Sequence, residues 1–150
     1  MSRISWEEYA LKLAETASIR SEDPYMKVGA CVLRHDNSVA ALGYNGSPPG
    51  YDIDWSDRDS RRPFVSHAER SALRYCKPGE AKLIAITLSP CQHCIMDIAM
   101  FGIKKVIFQD VYNDYFQVSE IAKKIRYTNG SNLVDGLKNF CTFNYDTLYF

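Results

Sequence analysis

Two short motifs far apart in the chain have to meet in space: His67-Ala68-Glu69 and Pro90-Cys91-Gln92-His93-Cys94. Between them they hold three residues of metal-ligating type, His67, Cys91 and Cys94, with a carboxylate, Glu69, beside the histidine. A structural zinc site is closed by four protein ligands, whereas a catalytic one keeps three and leaves the fourth position to water. Three ligands and one spare acid therefore predict one catalytic Zn2+ per chain. Any fold open to this sequence must bring both motifs to one point and leave that point accessible.

Local signals put both motifs at helix starts. Ser66 is expected to cap a helix running from His67 to about residue 76, and Ser89 to cap one over 91–101, with Pro90 in its first position and Gln92 completing a capping box. Cys91 and Cys94, three apart, then share one face of the first turn. Two helix N-termini converging on the metal favour thiolates and a bound hydroxide. His93, two beyond Cys91, points away from that face and is not expected to close the site.

A zinc ion lowers the pKa of its bound water to about 7, which leaves proton traffic as the remaining task. Glu69 is the candidate general acid-base: it stands too close to His67 along the chain for an ordinary fourth ligand, and ligation would cost it its basicity. Ser66-x-x-Glu69 is also a capping-box pattern, so Glu69 has a structural reading beside the catalytic one.

The remainder reads as one domain over 1–150. Ser5-Trp6-Glu7-Glu8 predicts a first helix over about 6–19, with Tyr9, Leu13 and Ala17 among its apolar positions and Ile4 with Tyr9 as a hydrophobic staple. Val28 to Leu33 and Val39 to Leu42, joined by His35-Asp36-Asn37-Ser38, read as a hairpin, with His35 a solvated turn residue. Residues 45–65 carry turn formers and charges without periodicity, either as a functional loop or as a solvated one. Strands at Leu83 to Leu88, Lys105 to Phe108 and Phe140 to Phe143 alternate with helices, the last of these around 115–127. The expectation is an α/β fold: a mixed sheet of about five strands, antiparallel at its first hairpin and parallel afterwards, with helices on both faces.

Charge and cysteine usage narrow the function. Lys and Arg together number 18, as do Asp and Glu, so the formal charge is zero and no polynucleotide-binding footprint is present. Five cysteines, two of them in Cys-x-x-Cys, argue against a disulfide framework and leave Cys31, Cys76 and Cys141 as reduced apolar residues. With no signal-like or membrane-length apolar run, the chain reads as cytoplasmic, with no membrane partner. There is no Walker-type loop, so a phosphate must be held by scattered groups, which suits a monophosphate.

His-Ala-Glu with Pro-Cys-x-x-Cys resembles the signature of the cytidine deaminase superfamily. Ser21-Glu22-Asp23-Pro24, Lys27-Val28-Gly29-Ala30-Cys31, Gly43-Tyr44-Asn45-Gly46-Ser47-Pro48-Pro49-Gly50 and Gly102-Ile103-Lys104-Lys105-Val106-Ile107-Phe108 make the chain similar to deoxycytidylate (dCMP) deaminases over roughly residues 5–127. The resemblance implies a three-layer α/β/α fold and hydrolysis of dCMP to dUMP and ammonia for thymidylate synthesis. It also implies a homo-oligomer, often a hexamer, activated by dCTP and inhibited by dTTP. By position, Asn45 matches a residue directed at the nucleotide sugar and Tyr112 one in the substrate pocket; Lys27 is a candidate phosphate partner, and Ser66 and Ser89 flank the same pocket. Tyr44, Gly46 and Ser47 fall where such enzymes place an effector. Rival readings are a dCTP or dual deaminase, a tRNA adenosine deaminase, a deaminase of riboflavin synthesis and a non-catalytic zinc module. The last twenty-odd residues, ending in Asn144-Tyr145-Asp146-Thr147-Leu148-Tyr149-Phe150, match nothing in the pattern.

Overall fold

The structure, a computed structural model, describes residues 2–140. Helix α1 spans Trp6–Ser18 and begins where the Ser5 hydroxyl accepts the Glu8 amide at 3.1 Å. Its buried stripe is Ala10, Leu11 and Ala14, not the expected Tyr9, Leu13 and Ala17. Close approach explains the shift: a Cβ added at Gly29 would come within 1.9 Å of the Ala14 carbonyl, so the contact admits only small side chains. Tyr9 instead lies edge-on to Trp6 at the surface.

The hairpin forms as read, with β1 at Gly29–Arg34 and β2 at Val39–Tyr44, turning through Asn37 in the left-handed region at φ 69°. Strands β3 (Ala81–Leu88), β4 (Lys105–Asp110) and β5 (Leu137–Asn139) complete a sheet of order β2-β1-β3-β4-β5 among the described residues. One expectation is corrected here: β3 pairs with β1 antiparallel, and parallel pairing begins only between β3 and β4. The connection leaving β2 passes over β1 before re-entering the sheet. It makes β3 parallel to β2, with β1 running the other way between them.

Helices cover both faces, giving the three layers. Alternation along each strand sends Cys31, Leu33, Leu83, Ala85 and Ile107 to α1. It sends Val32, Ile84, Ile86 and Val106 to the opposite face, where α3 (Ala68–Leu73), α4 (Gln92–Met100) and α5 (Tyr115–Lys124) contribute Ala72, Leu73, Ile95, Ile98, Val118 and Ala122. Each fully buried Ile or Leu here is worth roughly 1.5–3 kcal/mol. Gly43 sets α3 against β2, since a Cβ there would stand 2.5 Å from the Ala72 nitrogen.

Residues 45–65 stay largely irregular, holding only α2 (Arg58–Arg61) and a 3-10 turn at Arg62–Phe64. Their ends are pinned by reciprocal backbone hydrogen bonds between Gly46 and Ser66, at 3.1 and 2.7 Å. The last strand begins at Leu137, earlier than expected, and Phe140 extends it by donating to the Phe108 carbonyl. Positions 141–143 of the expected strand, and the aromatic stretch after them, lie outside the described residues. Among those described, no helix is long and apolar enough to cross a membrane.

Glu7 ties α1 to β4 through Lys105 at 2.6 Å. The Lys105 hydrogen bond holds the Glu7 carboxyl below its ordinary value of 4.5, against the effect of burial. A depressed carboxyl contributes stability that is present above the unfolded value and lost as pH falls through the folded one. Glu7→Gln is therefore expected to cost about 0.5–1 kcal/mol at pH 7 and almost nothing in strong acid. Urea melts at both pH values check this; an equal cost at each would exclude the ion pair as the source.

Candidate active site

His67 and Cys91 are themselves the N-cap residues of α3 and α4, and Cys94 lies in the first turn of α4. Both helix N-termini thus face one point, as expected. The Nδ1 of His67 stands 3.3 Å from the Cys94 Sγ and 3.5 Å from the Cys91 Sγ, and all three donor atoms lie within 4.8 Å of one another. Zn–S bonds near 2.3 Å and Zn–N bonds near 2.0–2.1 Å make a tetrahedral N–S edge of about 3.5 Å. The three residues fit one Zn2+. Among the described residues no fourth His, Cys, Asp or Glu joins the cluster, and His93 is exposed on the outer side of α4.

The electrostatics favour a thiolate before any metal is considered. The hydrogen bond from Cys94 and that with His67 hold the Cys91 thiol down to about 3, against burial, while Cys94, donating to Cys91 and buried, is pushed up. The Cys91 hydrogen bond in turn raises His67. Glu69 is 4% exposed, and burial pushes its carboxyl up to about 7, with its own backbone hydrogen bond and the His67 charge acting the other way. A carboxyl outside the ligand cluster that titrates near neutrality can both accept and donate a proton.

The two serine caps are corrected. The cap falls one residue later than expected on α3 and two later on α4, so the metal-ligating residue takes the N-cap position and neither cap makes a side-chain hydrogen bond. Ser66 instead meets the Ser71 hydroxyl at 3.1 Å, so the Ser66–Glu69 capping box does not form. Buried Ser89 accepts the Tyr112 amide at 2.7 Å, tying the loop after β4 to the loop before α4. Tyr112 lies on that loop, 40% exposed.

Asn45 is buried, and its amide is fully engaged within the protein. Its Oδ1 accepts from the Val28 amide and the Ser21 hydroxyl, each at 2.8 Å, and its Nδ2 donates to Asp23 and to the Met26 carbonyl. Lys27, exposed nearby, donates to the Ser21 carbonyl. Asn45→Ala would leave several of these groups buried and unpaired, at an expected cost of about 2–3 kcal/mol by chemical denaturation. Unchanged stability with lost activity would point instead to direct substrate contact.

Sequence reasoning gave Ser21 and Asp23 no role, although Asp-Pro is a turn signal and Asp23 does accept the Tyr25 and Met26 amides around Pro24. It also missed Arg70, which binds Asp97 at 2.9 Å and so joins the two ligand-bearing helices, because nothing local pairs those positions.

Residues 4–110 match the family described as the cytidine and deoxycytidylate deaminase zinc-binding region. The chain belongs to this family. It is 35% identical over 122 residues to the deoxycytidylate deaminase of Mus musculus, covering 74% of this chain and 68% of that one. The deoxycytidylate deaminase of Mycobacterium phage D29 is 35% identical over 126 residues, covering 72% and 97%. Among solved structures, the dCMP deaminase of cyanophage S-TIM5 in complex with dCMP and dUMP is 30% identical, with a TM-score of 0.69 over 93% of this chain and 98% of that one. The chain is a hydrolytic deaminase whose site fits one zinc ion.

This deaminase also has a cavity of about 730 Å3 beside the glycine-proline loop, with Tyr44, Gly46 and Ser47 in its wall. Arg20 and Arg74 line it as well, while His67, Glu69, Cys91 and Cys94 do not. Ser66, next to His67, links the two sites. Ser47 is fixed there by Glu22, which accepts both its amide and its hydroxyl.

Proposed function

We propose that the chain hydrolyses dCMP to dUMP and ammonia, supplying thymidylate synthesis in the cytoplasm. The observation that carries this reading is Glu69, buried beside three zinc-ligand atoms yet outside their set. His67, Cys91 and Cys94 would hold the metal, which when bound supplies Lewis-acid activation of water at neutral pH.

The remaining work falls to the chain. Water adds at C4 of the pyrimidine while Glu69 takes its proton, delivers it to the ring nitrogen and returns a second proton to the amine as the C4–N bond breaks. Its environment, dominated by burial, keeps both protonation states within reach. Tyr112, on the loop held by Ser89, is assigned to the base, and Lys27 to the phosphate. Ser66 lies at the seam between substrate and effector. Asn45 is assigned a supporting role, fixing the segment before Gly46, since its amide is engaged internally.

The cavity that Tyr44, Gly46 and Ser47 line is assigned to dCTP as activator and dTTP as inhibitor, with Arg20 and Arg74 supplying positive charge. Such regulation accords with a homo-oligomer, for which a hexamer is the assigned size. One assay tests the whole reading: loss of cytosine absorbance on dCMP, dCTP and cytidine, each with and without added dCTP or dTTP. Turnover of dCMP that turns sigmoidal and responds to the triphosphates is expected. Faster turnover of cytidine or dCTP would overturn the substrate assignment, and a hyperbolic, unresponsive profile the regulatory one.

A further inference from the structure

The opposite end of the sheet carries a second concentration of charge. A cavity of about 360 Å3 is lined there by His35, Lys82, Lys104, Lys105, Asp135 and Lys138. It sits where β3 and β4 begin, whereas the zinc ligands of α4 follow the far end of β3.

Register gathers these lysines. Leu83 stands opposite Lys105, and Ile107 opposite Lys138, so both lysines share the face on which Leu83 and Ile107 pack. Because Val106 pairs with Leu137, Lys105 and Lys138 are diagonal neighbours across the β4–β5 ladder, roughly 7–8 Å apart at their backbones. Among the described residues, helix α1 lies mainly over β1 and β3 rather than over β4 and β5.

Compensation is incomplete. Glu7 answers Lys105, and Lys82 donates to the Asn37 side chain. Lys104 rests over the Tyr127 ring at 5.4 Å, and the Lys138 ammonium has neither an ion pair nor a hydrogen bond among the described residues. Four ammonium groups therefore meet two carboxylates, Glu7 and Asp135, in a chain whose formal charge is zero. A concave site in which one sign of charge predominates concentrates counter-ions.

We propose that this cleft binds a compact phosphate-bearing anion, either free pyrophosphate-type or the phosphate tail of a nucleotide. Its volume is at the small end of ligand pockets. Apart from His35 its walls hold no ring on which a base could stack, and lysines serve as flexible point charges for phosphate oxygens. The neutral chain offers no longer basic track for a polynucleotide.

The zinc-loaded full chain, titrated with inorganic pyrophosphate by calorimetry, tests this. Lys104→Glu with Lys138→Glu is expected to weaken binding by roughly tenfold or more, with dCMP turnover unchanged. Lys104→Gln with Lys138→Gln is a milder pair should the first unfold. Lys12→Glu, a charge reversal at an exposed α1 position outside the cavity, should leave binding intact. In competition, displacement by dCTP but not deoxycytidine, lost in the double variant, identifies a nucleotide tail; displacement by tripolyphosphate alone identifies a free phosphoanion. Equal pyrophosphate affinity in parent and double variants, or equal weakening by Lys12→Glu, would overturn the proposal. The lysines would then serve only to solvate the face and keep the edge strand β5 from pairing.

Discussion

Glu69→Gln is expected to fold, bind one zinc and lose between about two and four orders of magnitude in turnover. Glutamine has almost the same shape as glutamate and keeps an acceptor oxygen, so packing around a side chain only 4% exposed should survive. What it lacks is a proton that can be taken up and released. Because the carboxylate acts in the transition state and not in holding the metal, kcat should fall with little change in KM or zinc content. A folded, zinc-loaded variant with parental kcat would remove Glu69 from the chemistry. A variant that instead loses zinc would make the carboxylate part of the metal's support.

The same distinction separates what the sequence made legible from what it did not. Ligands are readable because chelation imposes spacing: Cys91 and Cys94 must share one helical face, and Glu69 stands too close to His67 to complete the set. Both helix starts were foreseen, but their first residues were not, since a ligand that itself occupies the N-cap looks in sequence like part of a first turn opened by the serine one residue before His67 or two before Cys91. Ser66 and Ser89 offered that false signal, and their hydroxyls are used elsewhere, by Ser71 and by the Tyr112 amide. The sheet was legible from strand patterning, yet the antiparallel β1–β3 pairing was not, because alternation of strands and helices does not say which strand a crossover passes over. Asn45 shows the limit most clearly. Its partners, Ser21, Asp23, Met26 and Val28, are gathered by packing of the β1–β2 hairpin against the end of α1, and no local pattern announces such a set.

Replacing Cys94 by alanine should abolish both zinc binding and activity, and should lower the melting temperature by roughly the amount that chelation lowers it in the parent. A ligand present at a thousand times its dissociation constant stabilises the folded state by about 4 kcal/mol. For a chain of this size that corresponds to roughly 8–16 °C. Cys94 is the severer test than Cys91 because it is 3% exposed and in the first turn of α4, so no solvent group can easily take its place. His93→Ala, on the outer side of the same helix, should leave zinc, melting temperature and turnover unchanged. Metal analysis and thermal melts with and without chelator separate the cases. If His93→Ala loses the zinc, the fourth position is closed by protein, and no place is left for the water that deamination consumes. If Cys94→Ala retains a full equivalent and chelation leaves the melt unaltered, the three-residue cluster is not where the metal sits.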